Sequence, residues 1–268
     1  MPRYNMRFRL SRIGRGYIMN VLITGASAGF GKALAEKLVA QGHRVIGCAR
    51  RLDKLNEMAE TLGELFLPVV MDVSDTQSIA PIIADLPKDF SQIDVLVNNA
   101  GLALGTEPAQ NAKFDDWMKM VDTNVKGLMA LTHAILPTMV QRDSGYIINV
   151  GSIAGSWPYY GGNVYGATKA FVKQFSLNLR ADLLGTQVRV TNLEPGNVAG
   201  TEFSNVRYHG DDEKAAKVYD GFKTMTGEDI GDILLWLIES PAHINVNRLE
   251  VMPVAQTYNG LTIAKQGR

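Results

Sequence analysis

Residues 19–31 read MNVLITGASAGFG, an apolar run that breaks into a glycine-rich turn, and a helical pattern over Lys32 to Gln41 begins at once. The run Ile18 to Thr24 (IMNVLIT) is apolar nearly throughout, which suits a strand covered on both faces. Glycines let the chain turn tightly and bring its backbone close to a pyrophosphate, whose charge then rests on the free N–H groups that open the helix. A glycine-rich turn alone is weak evidence. Strand, turn and helix in this order make Gly25, Ser27, Gly29, Phe30 and Gly31 candidate dinucleotide contacts.

Outward from that unit the alternation repeats. Further strand candidates are Arg44 to Ala49 (RVIGCA), Leu65 to Met71 (LFLPVVM), Ile93 to Val97 (IDVLV), Tyr146 to Val150 (YIINV), Val188 to Leu193 (VRVTNL) and Leu249 to Val254 (LEVMPV). Helical patterns such as Phe114 to Arg142 and Val164 to Leu184 lie between them. The alternation predicts an α/β fold, a Rossmann-type doubly wound parallel sheet of about seven strands with helices on both faces. No linker, repeat or low-complexity stretch divides the chain, so residues 19–268 are expected to form a single domain behind an N-terminal extension, residues 1–18. Gly196 to Phe222 follows a strand without resuming helical periodicity, as functional lids and disordered segments do. Thr226 to Asp229 then offers a capping box to the apolar run IGDILLWLI.

Composition excludes several classes. Basic and acidic residues both number 27, but five arginines (Arg3, Arg7, Arg9, Arg12, Arg15) lie in the acid-free first 18 residues; 27 less five leaves 22 bases against 27 acids, a net of −5 for the remainder. A body of that sign repels phosphate backbones, so nucleic acid is not an expected partner. The only cysteine, Cys48, allows neither an intrachain disulfide nor a thiolate metal site, and His43, His133, His209 and His243 share no ligand spacing. No metal is expected. No apolar run is long enough to span a bilayer, and a reducing, cytoplasmic setting fits. The arginine-rich start has the composition of a transit segment, but Met19, directly before the first strand, favours an upstream start or an artificial leader.

The second strand ends Cys48-Ala49-Arg50-Arg51, about 20 residues beyond the glycines, where the adenosine ribose of a dinucleotide would lie. An acid there binds the ribose hydroxyls of NAD, whereas arginine accommodates a 2′-phosphate. The first acid, Asp53, comes only after both arginines. If each charge-assisted contact contributes about 1.5–3 kcal/mol, Arg50 and Arg51 together favour NADP by roughly a hundredfold or more.

In NVYGATKAF, residues 163–171, Tyr165 and Lys169 stand four apart and therefore on one helix face. Ser152 lies 13 residues before Tyr165, at the end of a strand, and strand C-termini line the ligand crevice of such sheets. A free phenol titrates near 10, and a nearby ammonium favours the phenolate. The spacing therefore predicts a Tyr165 lowered by about two to three pH units into the range of an acid–base catalyst, tuned by Lys169 and oriented by Ser152.

Together TGASAGFG, NNAG (98–101), Asn124, Ser152, YGATK and Pro195-Gly196 resemble, in order and spacing, the short-chain dehydrogenase/reductase family, from Met19 to the C-terminus. The resemblance implies Tyr165 as proton donor or acceptor, Lys169 as its tuner and a ligand of the nicotinamide ribose, Ser152 as substrate orienter, and Asn124 as holder of a proton-relay water. It also implies that Asn99, with Ala100 and Gly101, lines the cofactor site, that Asp72 and Val73 form the adenine pocket, and that Pro195 to Phe203, including Gly196, Val198 and Thr201, form the nicotinamide side and lid. Two long helices build dimer faces in the family, implying a homotetramer; their apolar positions here are Met118, Val121, Leu128, Leu131 and Ile135, and Phe171, Phe175, Leu179 and Leu183.

Within the family, NNAGLALG, GSWPYYGGNVYGATKAF and GTEFSNVR are similar to bacterial NADP-dependent 3-hydroxy acid dehydrogenases. That likeness implies serine, allo-threonine or 3-hydroxypropionate as substrate, or malonic semialdehyde in the reverse direction. A small hydroxy acid needs a cation for its carboxylate, and Arg207 is the candidate, with a solvated loop charge as the alternative. The aromatic cluster Trp157-Pro158-Tyr159-Tyr160 keeps a bulkier ketone, sugar or steroid open. A non-catalytic NADP-sensing module would be expected to lack Tyr165, Lys169 or Ser152. The apolar stretch Tyr258 to Ile263 is positioned at the end of the chain, where contact with a neighbouring subunit is one reading.

Overall fold

The computed structural model describes residues 17–258; the five N-terminal arginines and residues 259–263 of the apolar C-terminal stretch lie outside the described residues. In chain order the strands are β1 (Asn20–Thr24), β2 (Arg44–Ala49), β3 (Phe66–Val70), β4 (Val95–Asn98), β5 (Gly145–Val150), β6 (Val188–Pro195), β7 (Val198–Ala199), β8 (Met225–Thr226) and β9 (Arg248–Val251). A seven-stranded sheet runs β3-β2-β1-β4-β5-β6-β9, parallel throughout, while β7 and β8 pair separately. Each strand expected from the sequence is present, with boundaries shifted by a few residues. The strand order reverses between β1 and β4, which opens a crevice at their C-terminal ends.

The helices are α1 (Gly29–Ala40), α2 (Leu52–Leu62), α3 (Thr76–Ala84), α4 (Phe114–Val121), α5 (Leu128–Gln141), α6 (Asn163–Asp182), α7 (Phe203–Arg207), α8 (Asp212–Lys217) and α9 (Gly227–Glu239). Alternate strand residues feed two cores. Val21, Ile23, Val45 and Val97 pack with Leu34 and Leu38 of α1 and Leu234 of α9. Leu22, Ile46, Leu96 and Ile147 pack on the other face with Ile79 of α3 and Leu131 and Ile135 of α5. Both faces of each central strand are therefore covered, and the continuous hydrophobicity that marked the strands follows from this. Burial of each such side chain contributes about 1.5–3 kcal/mol.

Two expectations are refined. The run Phe114 to Arg142 is not one regular helix: Asp122–Gly127 forms a π turn between α4 and α5. Gly127 is needed there because an added Cβ would sit 2.5 Å from the Val73 carbonyl oxygen. Of the apolar positions expected on dimer faces, Leu128, Leu131, Ile135, Leu179 and Leu183 are spent in this chain's own core, which leaves Met118, Val121, Phe171 and Phe175 partly accessible. The capping box forms: Thr226 Oγ1 accepts the Asp229 N–H at 3.2 Å and the Asp229 carboxylate accepts the Thr226 N–H at 2.8 Å. The segment after β6 holds β7 and the short helices α7 and α8; Val198 of β7, Phe203 and Arg207 of α7, and Val218 and Tyr219 beyond α8 reach the crevice.

Candidate active site

A cavity of about 500 Å³ occupies the crevice. At its base the turn after β1 uses two positive φ angles, +67° at Gly25 and +52° at Gly29, a conformation glycine adopts without strain. The turn is tied to the loop after β4. Thr24 Oγ1 accepts the N–H groups of Asn99 and Ala100 at 3.0 and 2.9 Å, and Asn99 Nδ2 donates to the Thr24 carbonyl at 2.8 Å. Gly25, Ser27, Gly29, Phe30, Asn99, Ala100 and Gly101 line the cavity as expected. Gly31 does not, and its expected contact role is corrected: a Cβ there would sit 2.5 Å from the Gly25 carbonyl oxygen, so its function is to let α1 close on the turn. The start of α1 has no side-chain cap, which leaves its first N–H groups free for an anion. A glycine cradle with uncapped donors fits a pyrophosphate.

Arg50, Arg51, Asp72 and Val73 line the adjoining end. Arg51 forks onto Glu202, with Nη1 and Nη2 each donating at 2.9 Å, and Nη2 also reaches Ser27 Oγ at 3.3 Å. That fork holds the guanidinium firmly protonated. Burial alone would raise the Asp72 carboxyl, but the Ser74 hydroxyl and N–H, with Arg50 and Lys119 nearby, hold it below the usual carboxylate range. Two guanidinium groups on the cavity wall fit a 2′-phosphate.

The catalytic candidates converge at the other end. Ser152 lies two residues beyond β5 and caps a short 3₁₀ turn, where its Oγ accepts the Ala154 N–H at 3.1 Å. Tyr165 and Lys169 project from one face of α6 to the cavity, both buried. Lys169 Nζ donates to the Val150 carbonyl at 2.8 Å and lies 6.0 Å from the Tyr165 ring centre. The expected lowering of Tyr165 does not occur in this arrangement. Burial raises its phenol well above the ordinary value, and Tyr159 adds to this; the Ser152 hydroxyl and the Arg207 charge oppose it without prevailing. Lys169, by contrast, is pushed down to about 8 by burial. The same desolvation disfavours the charged form of each group, and sequence spacing says nothing of its depth.

Asn124 is buried behind the cavity rather than on its wall. Its Oδ1 accepts the Leu102 N–H at 2.9 Å, and Nδ2 donates to the Leu102 carbonyl at 2.8 Å and to Thr168 Oγ1 at 3.1 Å. The side chain is thus committed to bracing the loop after β4 against α6. Pro195, Gly196, Val198 and Thr201 line the roof, and Thr201 lies over the glycine turn, its Cγ2 3.2 Å from where a Gly29 Cβ would stand.

Arg207 does reach the site. Its Nη2 donates to Tyr159 Oη at 3.1 Å, its Nε donates to the Gly105 carbonyl at 3.3 Å, and its Cζ lies 6.0 Å from the Tyr165 ring centre. Phe203 packs on Tyr165 with ring centres 5.7 Å apart. Sequence reasoning assigned no individual role to Tyr159 or Gln256, and it placed Glu202 and Phe203 only within the expected lid, Pro195 to Phe203. Tyr159 was visible only as part of an aromatic cluster. Gln256, whose Oε1 accepts the Asn197 N–H at 2.8 Å, comes from beyond β9 and carried no local signal.

A family model described as short chain dehydrogenase matches residues 19–211. The chain belongs to that family. Among its short chain dehydrogenase relatives, the Escherichia coli (strain K12) protein named NADP-dependent 3-hydroxy acid dehydrogenase YdfG is 55% identical over 248 residues, 92% of this chain and 100% of that one. Serine 3-dehydrogenase of Rhizobium radiobacter is 47% identical over 246 residues, 92% of this chain and 98% of that one. A solved structure described as the closed form of serine dehydrogenase complexed with NADP+ superposes with a TM-score of 0.89 at 55% identity, covering 92% of this chain and 99% of the other. Membership of this family agrees with the glycine turn, Ser152, Tyr165 and Lys169 lying on one cavity.

Proposed function

We propose that the protein is an NADP-dependent oxidoreductase that interconverts small 3-hydroxy acids and the matching semialdehydes or keto acids. Serine, allo-threonine and 3-hydroxypropionate are its alcohol substrates, and malonic semialdehyde is the aldehyde formed from the last. The observation that carries the substrate class is the Arg207 guanidinium, held beside Tyr165 inside the cavity by Tyr159 and Gly105. A cation placed there binds a carboxylate and orients the neighbouring carbinol carbon. The relatives named for 3-hydroxy acids and serine support this reading.

Gly25, Ser27 and Gly29 with the start of α1 would hold the pyrophosphate, Arg50 and Arg51 the 2′-phosphate, and Asp72 and Val73 the adenine. Asn99, Ala100, Gly101, Pro195, Gly196, Val198 and Thr201 would enclose the nicotinamide half. The nicotinamide of a dinucleotide bound there would supply the hydride acceptor for oxidation and, in its reduced form, the hydride donor for reduction. Tyr165, kept protonated by burial, is poised to donate a proton to a carbonyl oxygen in the direction of reduction. In oxidation it must first lose that proton, and Lys169, at about 8, is the adjoining group able to exchange one near neutrality. Ser152 orients the reacting oxygen. Asn124, with both Nδ2 donors already used, would serve a relay water from its place in the π turn beside the cavity.

Accessible Met118, Phe171 and Phe175 on α4 and α6 support assembly as a homotetramer, which light scattering tests; a monodisperse monomer refutes it. Among the described residues no helix is long and apolar enough to cross a membrane, and a cytoplasmic location accords with that. The deciding experiment is a panel of 3-hydroxy acids and uncharged alcohols with NADP or NAD, followed by the absorbance of the reduced nicotinamide. Turnover confined to charged 3-hydroxy acids with NADP is expected. Turnover only of bulkier ketones, sugars or steroids overturns the substrate class, and binding without turnover of any substrate overturns the enzymatic reading.

A further inference from the structure

We propose that Glu202 is a specificity-determining residue that competes with the 2′-phosphate of the cofactor for the Arg51 fork. Both Glu202 oxygens sit 2.9 Å from the two terminal nitrogens of Arg51, the parallel two-bond geometry that a phosphate also adopts on arginine. One of those nitrogens also donates to Ser27 Oγ at 3.3 Å, so the fork joins the end of β2, the glycine turn and the segment between β7 and α7. Arg51 has five N–H donors, and the two that face a ligand side by side are already committed. Arg51 and Glu202 are about half exposed, at 42% and 57%. Ion pairs that exposed hold only weakly. A dianionic phosphate, with Arg50 on the same wall, therefore displaces the carboxylate, but its gain is net of the pair it breaks.

An acid near the ribose is how NAD sites hold the hydroxyls, and no acid stands at the end of β2 in this chain. Glu202 supplies one from the roof instead. Its effect is to temper the preference for the phosphorylated cofactor, and to loosen the roof segment from the glycine turn whenever phosphate takes the fork. The inference rests on the NADP reading above.

Calorimetric titration of the whole protein with adenosine 2′,5′-bisphosphate and with adenosine 5′-monophosphate tests it without any turnover. Glu202→Gln is expected to tighten the bisphosphate about three- to tenfold and the monophosphate less than about twofold. Glu202→Asp keeps the charge but is one methylene shorter, and should shift the bisphosphate in the same direction. Bisphosphate affinity unchanged or weakened in Glu202→Gln overturns the proposal. So does an equal gain for both ligands with Glu202→Asp like wild type, since that reports a diffuse field and not a contested fork. Wild-type protein that fails to prefer the bisphosphate sinks the cofactor reading and this inference together, whereas a wild-type preference untouched by Glu202→Gln sinks the inference alone.

Discussion

Replacing Lys169 by methionine should stabilise the folded chain near neutrality while abolishing its chemistry. Burial depresses Lys169 from the ordinary lysine range to about 8, a penalty on the charged form worth about 3 kcal/mol in the folded state. Because the folded value lies below the unfolded one, the unfolded chain binds more protons between about pH 8 and pH 10.5, and stability rises with pH across that window. Methionine removes the penalty but strips the Val150 carbonyl of its donor at 2.8 Å, which costs roughly 1–2 kcal/mol. Near pH 7 the variant should therefore be the more stable protein by about 1–2 kcal/mol, and near pH 10.5 the less stable by a similar amount.

The assay is thermal melting of both proteins side by side across that range, since titrating groups remote from Lys169 cancel in the difference. For a chain of this size, a change of 1 kcal/mol moves Tm by about 2–4 °C, so the crossing is readily seen. A methionine variant that melts below wild type by the same margin at both ends would refute the reasoning, for it would mean that the ammonium is not held at a cost. Stability gained by removing a catalytic group is the expected trade where an active site keeps a charge out of water.

Tyr165→Phe should lower kcat by about 10²- to 10⁴-fold, the usual contribution of a positioned proton donor, with dinucleotide affinity measured by titration left within about twofold. Arg207→Ala should raise KM for 3-hydroxy acids about 10- to 100-fold, as loss of a charge-assisted contact of about 1.5–3 kcal/mol implies; an equal effect on uncharged alcohols removes Arg207 from carboxylate recognition. Oxidation of the hydroxy acid should accelerate as pH rises through about 8, where Lys169 becomes able to accept a proton, and a pH profile flat between 7 and 9 would place the relay elsewhere.

The parts of this molecule that were legible in its sequence are those in which local pattern and three-dimensional role coincide. β1, β4 and β5 announce themselves because both faces are buried, and Tyr165 and Lys169 because four residues along α6 is one turn. The glycine turn is legible for the same reason, its positive φ angles demanding a residue type that the sequence displays. Arg207 was reached only through a chemical requirement, the carboxylate, and the pairing of Glu202 with Arg51 was not reached, because the two lie 151 residues apart and no periodicity links the residue before α7 to the end of β2. The protonation of the catalytic pair was misjudged for a different reason. Spacing fixes the distance between a phenol and an amine, whereas their titration depends on how completely Phe203, Tyr159 and the roof seal them from water. In a site closed by a segment with no regular pattern, the identities of the reacting groups can be read from the chain, but their charge state is set by residues that fold over them from elsewhere.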